Sequence, residues 1–124
     1  MTDPHFGLHH VQVAIPADSE DTARLFYGEV LGLTEVAKPT ALAARGGCWF
    51  RAGELEIHLG VEEPFSPARK AHPGILVTQG FDGLLERLTG HGIDATPDDN
   101  FPGFRRVYIA DPFGNRLELM TSQT

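Results

Sequence analysis

Four residues carry the types and spacing that could do chemistry: His10, His58, His72 and Glu118. Neutral imidazole nitrogen and carboxylate oxygen are the donors that divalent Zn, Ni, Fe, Mn or Co accept. His10 precedes His58 by 48 residues and His72 precedes Glu118 by 46. If the two pairs belong to related halves of the chain, a pseudo-twofold axis would bring all four to one point. A metal held there by three nitrogens and one oxygen, with water in its open positions, would be reactive, not structural. The plainer alternative is that each histidine is hydrogen-bonded on a strand and that Glu118 marks a solvated strand face.

The elements that must position these residues can be read from hydrophobic period. Leu8 to Ile15 alternates, with His9, Val11, Val13 and Ile15 on one face and Leu8, His10, Gln12 and Ala14 on the other. Ala23, Phe26, Tyr27, Val30 and Leu31 form an i, i+3, i+4, i+7, i+8 stripe, which predicts an amphipathic helix ended by Gly32. Strands are expected over 34–37, 47–51 and 54–61. In the last of these, His58 and Glu56 share the face opposite Leu55, Ile57 and Leu59.

A proline-containing linker over 62–71 separates this half from a second one with the same order. There His72–Val77 reads as a strand, and Phe81, Leu84, Leu85 and Leu88 as a helical stripe closed by Gly90 and Gly92. A short strand follows near Ala95, then strands over 105–110 and 116–120 around the turn Asp111-Pro112-Phe113-Gly114-Asn115. The landmarks repeat at nearly one offset: 60 residues from Leu33 to Ile93, 62 from His10 to His72 and 60 from His58 to Glu118. That agreement predicts an internal duplication within one domain, 1–124, with modules at about 8–61 and 72–121. The fold class expected is α+β, two βαβββ modules forming a curled mixed sheet.

Composition narrows the partners. A formal net charge of -7 and no basic stripe argue against nucleic acid. No apolar run is long enough for a membrane span, and Met1-Thr2-Asp3-Pro4-His5 lacks the start of a secretory signal, so a cytoplasmic location is expected. The single cysteine, Cys48, allows no intrachain disulfide and reads as a small buried residue. Any metal must then be held by nitrogen and oxygen.

Three segments together resemble the vicinal oxygen chelate superfamily, the group of glyoxalase I, extradiol dioxygenases, fosfomycin-modifying transferases, methylmalonyl-CoA epimerase and bleomycin resistance proteins. They are Leu8-His9-His10-Val11, the helix end Phe26-Tyr27 to Val30-Leu31-Gly32-Leu33, and Asp111-Pro112-Phe113-Gly114-Asn115-Arg116-Leu117-Glu118-Leu119. The resemblance implies glyoxalase-like half-barrels that enclose a divalent metal, with ligand positions at His10, His58, His72 and Glu118. It also implies a homodimer, since relatives of this size often share sites across an interface. No branch is matched in full. Glyoxalase I and the epimerases usually place a carboxylate or amide where this chain has His58. The fosfomycin enzymes match His10, His72 and Glu118, but their potassium-binding loop and basic phosphonate pocket have no counterpart in this sequence.

The expected activity is that of a metal-dependent lyase or isomerase acting on a small oxygenated substrate. The metal would be a Lewis acid stabilising an enediolate or oxyanion, and Glu118 a ligand that also moves a proton. Two alternatives stand beside it: a non-catalytic protein that sequesters a ligand, as resistance proteins do, and an Fe(II) extradiol-type dioxygenase. Alternation places Gln12, Glu56, Arg106 and Tyr108 in the substrate cavity. Arg106 would grip a substrate carboxylate through both nitrogens or stand solvated at a strand end.

Overall fold

The computed structural model describes residues 2–123, so Met1 and Thr124, the outermost residues of the expected domain, lie outside it. The first half runs β1 (Val11–Ile15), α1 (Glu20–Ala23) with a continuing π-helix (Arg24–Val30), β2 (Thr34–Val36), α2 (Thr40–Ala43), β3 (Cys48–Ala52) and β4 (Leu55–Val61). The second runs β5 (Gly74–Leu76), α3 (Phe81–Gly90), β6 (Thr96–Asp98), β7 (Phe104–Ala110) and β8 (Arg116–Ser122). Each half makes one four-stranded mixed sheet, ordered β1-β4-β3-β2 and β5-β8-β7-β6. The fold is thus α+β and of the paired-module, glyoxalase-like kind.

In each sheet the first and last strands of the module pair in parallel while the other pairings are antiparallel. A parallel pair needs a long crossover, and the helix following β1 or β5 supplies part of it. Alternation then sends Val13, Ile15, Phe50, Ile57 and Leu59 of one sheet, and Ile75, Val107, Ile109, Leu117 and Leu119 of the other, into a single buried cluster. Ala23, Phe26, Tyr27, Val30, Phe81 and Leu88 cover them from the helices.

The strands expected over 8–15 and 72–77 begin only at Val11 and Gly74, so His10 and His72 precede them, and two further local features depart from the sequence reading. The stripe from Ala23 to Val30 is buried as its spacing predicts, yet its second part is π-helical, and the Leu31 N–H donates to the Phe26 carbonyl five residues back, at 2.9 Å. Those widened turns carry Tyr27, whose hydroxyl reaches across to donate to Asp111 Oδ2 at 2.7 Å. The second is α2, a single turn after Pro39 with no buried residue and hence no apolar stripe to betray it. No described helix is long and apolar enough to cross a membrane.

The two halves are clasped by the turn before β8. Asp111 Oδ1 accepts from the Phe113 and Asn115 N–H groups at 2.9 and 2.8 Å, which fixes the turn. Gly114 has φ +93, and a side chain there would meet Pro67 of the linker at 3.3 Å. Asn115, 1% exposed, donates through Nδ2 to the Ala14 carbonyl on β1 and to Asp111 Oδ2, while its Oδ1 accepts from the Ala68 N–H in the linker. One side chain therefore joins β1, the linker and β8. Replacing it leaves buried donors and acceptors without partners. Asn115→Ala should cost about 2–4 kcal/mol in urea unfolding, whereas exposed Asn100→Ala should stay within about 0.5 kcal/mol. Equal stability of both variants would remove the clasp from this account.

Candidate functional site

Strand register decides where the candidate residues meet. In the parallel β5/β8 pair, Glu118 stands opposite Gly74, so His72, two residues upstream, falls on the same face. Its Nε2 lies 3.0 Å from Glu118 Oε1. Having no side chain, Gly74 leaves the lane between them open, and a Cβ there would only just touch Glu118 Oε1 at 3.9 Å. In the β1/β4 pair, His58 stands opposite Gln12, and His10 is again two residues upstream. The His10 and His58 rings stack at 3.9 Å. The two modules therefore repeat one device: an upstream histidine beside the residue at the centre of the last strand.

The structure brings the four together as two pairs, not as one group. Among the described residues no cluster of three or more His, Cys, Asp or Glu is placed to hold a metal ion. In the first pair, His58 is 3% exposed and sandwiched between His10 at 3.9 Å and Trp49 at 3.7 Å, both rings nearly parallel to it. Its Nε2 is 2.9 Å from Glu56 Oε1, and Glu56 also accepts from Arg51. The His58 hydrogen bond, and after it Arg51, holds the Glu56 carboxyl below its ordinary value against the effect of burial. His10 is exposed and abuts His9 Nδ1 through its own Nδ1 at 2.9 Å. Partial loss of water, then repulsion from His58 and His9, lowers the His10 pKa, which favours the neutral ring that can ligate a metal.

The second pair has a tighter frame. His72 Nδ1 is 2.8 Å from the Lys70 carbonyl, an acceptor only, so Nδ1 carries the hydrogen. In the neutral ring Nε2 is then a bare acceptor, facing a carboxylate oxygen of the buried Glu118 at 3.0 Å. Two acceptors hold that distance only with a proton or a cation between them. Two donors bound about 2.1 Å from one ion, at right angles to each other, stand about 3.0 Å apart. The donor set and its spacing thus fit a divalent metal, and the carbonyl behind His72 is the outer partner that orients such a ligand.

The cavity residues divide. Arg106 does not reach outward: its Nη1 donates to Glu118 Oε2 at 3.1 Å and its Nη2 to Asp98 Oδ1 at 3.0 Å. Its Nε is buried without a partner. The Asn100 N–H, and after it Arg106, holds the Asp98 carboxyl below its ordinary value. Tyr108 stands opposite Glu118 in the sheet and meets His72 edge-on at 5.5 Å. Gln12 is exposed on β1 and lies over Gly60, where a Cβ would come within 2.7 Å of its Nε2. Alternation separated Trp49, stacked on His58, from Phe50, buried near Tyr27. It left unremarked Arg116, which shares the Glu118 face two residues away and stacks over Tyr108 at 3.9 Å.

The chain has close likenesses. The model of the Glyoxalase/Bleomycin resistance protein/Dioxygenase superfamily matches residues 7–119. A solved protein assigned to the glyoxalase family, from Bacillus anthracis, is 46% identical, with 99% of this chain and 100% of that one covered and a TM-score of 0.94. The lactoylglutathione lyase of Agrobacterium tumefaciens shares the fold at 23% identity, covering 96% of both chains, with a TM-score of 0.69. The fosfomycin resistance protein FosX of Listeria monocytogenes does so at 17% identity, covering 97% of this chain and 96% of that one, with a TM-score of 0.71. No curated protein matches the chain.

Cys48 takes no part in the site. It is 2% exposed, and burial, then the Glu35 charge, pushes its thiol up to about 11. The thiolate is the reactive form, so alkylation by iodoacetamide at pH 8 should run at least about 50-fold slower in the native protein than in urea. Equal rates would show the thiol to be accessible and activated.

Proposed function

The chain belongs to the Glyoxalase/Bleomycin resistance protein/Dioxygenase superfamily, whose members generally use divalent metals, and we propose that it is a metal-dependent enzyme of the lyase or isomerase type acting on a small oxygenated molecule. The observation that carries this reading is the His72–Glu118 pair, two acceptors turned toward each other at 3.0 Å with the far side of the imidazole bonded to Lys70. His10 and His58 would complete the donor set. Because the two pairs do not meet in one chain, the first pair of one copy would join the second pair of another in a homodimer. A divalent ion held by these residues would supply Lewis acidity to neighbouring oxygens of the substrate.

The chain's own groups do the rest. Lys70 fixes the His72 ring, and Arg106, braced by Asp98, holds Glu118 through Oε2 while leaving Oε1 toward His72. Glu118 Oε1 is therefore the ligand atom that would take up and return a proton on loosening from the ion. Tyr108 packs on His72 and shields the pair from water on one side. A specific observation favours a second reading. The Trp49–His58–His10 stack ends in an exposed ring, a platform on which a sequestered aromatic ligand would lie without reaction.

Metal analysis separates the two. Protein reconstituted with Zn, Ni, Fe, Mn or Co should retain one equivalent of metal per chain and have a solution mass near twice the 13.5 kDa chain. Arg106→Gln should weaken metal binding by about 10–100-fold, the effect of a lost outer partner, and Glu118→Ala by more. Failure to retain any metal, together with ligand binding that survives chelator, would replace this reading with the sequestering one. Oxygen uptake with a catechol and Fe(II) would instead move the reaction to the dioxygenase branch.

A further inference from the structure

Two arginines reach the face that carries His72 and Glu118, and their guanidinium groups are in opposite states. Arg106 is committed to Asp98 and Glu118. Arg116 shares no hydrogen bond or ion pair through its side chain with any described residue. Its Cζ lies 3.9 Å from the centre of the Tyr108 ring, and Tyr108 in turn meets His72 edge-on at 5.5 Å. The backbone beneath it is fixed, since its N–H donates to the Ala68 carbonyl at 2.9 Å and β8 pairs it with Ala110. A cavity of about 520 Å³ opens beside it, with Gln12 and His72 in its wall. Exposed Glu62 also borders this cavity and makes no ion pair with the guanidinium.

A guanidinium stacked on an aromatic face keeps its N–H donors in its own plane above the ring, where they form a fork for two oxygens. Half-buried and without an acceptor, Arg116 has lost part of its water, and nothing in the described residues replaces it. We propose that Arg116 is the anion-docking residue of the site, gripping a carboxylate or a phosphate or phosphonate group on the substrate. This rests on the reading that His72 and Glu118 belong to the reactive site. The substrate is then a small oxyanion whose reacting oxygens lie toward His72 and whose charged end lies over Tyr108. Arg106, which alternation alone would choose for this task, positions Glu118 instead.

The test uses the full chain stripped of metal, so that an anion cannot bind through an ion. Inorganic phosphate and, separately, acetate are titrated while the arginine side-chain N–H resonances are followed by NMR. Wild type should bind at least one of them saturably. Arg116→Gln should bind at least about 10-fold more weakly, Arg116→Lys should fall between, and Arg105→Gln, paired with Asp82 elsewhere, should match wild type. Stronger phosphate binding assigns the phosphate or phosphonate class, and stronger acetate binding the carboxylate class. No binding to wild type, or equal binding to Arg116→Gln with unchanged thermal stability, overturns the proposal. Metal retention measured on separately reconstituted aliquots of the same proteins keeps the failures apart. Metal held without Arg116-dependent anion binding sinks only the docking residue, and the reverse sinks only the metal-enzyme reading.

Discussion

Asn115 is the contact on which the arrangement depends, because its side chain is the only group described here that bonds β1, the linker and the start of β8 at once. The apolar cluster holds both sheets together without direction, since hydrophobic burial rewards area and is indifferent to register. A buried amide with all its partners in place is directional, and losing any one of them is costly. The clasp therefore sets how the two modules sit, and through β8 it sets the starting point of the strand that carries Arg116 and Glu118.

From that starting point, register does the remaining work. Parallel pairing of first and last strands puts an upstream histidine beside the central residue of the last strand in both modules. The chemistry at equivalent places differs. Where the second module has Glu118 facing His72, the first has His58 facing His10, and Glu56 stands where the second has Arg116. One half has become an aromatic stack with an acid at its edge, and the other an acid–imidazole pair with a cation at its edge.

The sequence made the repeated order of elements, the strand faces and the four candidate donors readable, because alternation and a constant offset depend only on order along the chain. Pairing of His72 with Glu118 followed from that offset, but the separation of the four into two pairs did not. That separation depends on how the sheets lie relative to each other, which no local period encodes. Arg106 illustrates the same limit: alternation placed it on the right face, while its bonds to Asp98 and Glu118 arise from the β6/β7/β8 registers. The π-helical turns escaped notice because their buried stripe has the same spacing as an α-helix. Arg116 was readable from its place two residues before Glu118, yet its freedom from partners is a property only of the assembled face.

Gly74 acts through the space it leaves. Glu118 is held through Oε2 by Arg106 and faces His72 through Oε1, while directly across from it β5 offers only the bare backbone of Gly74. The clearance at Gly74 keeps the β5 backbone from crowding Oε1, so the space beside that oxygen is left to His72 and to whatever lies between them. A longer side chain at 74 would occupy that space. The absence of an atom at an edge strand thus preserves the clearance around the acid in which its partners meet it.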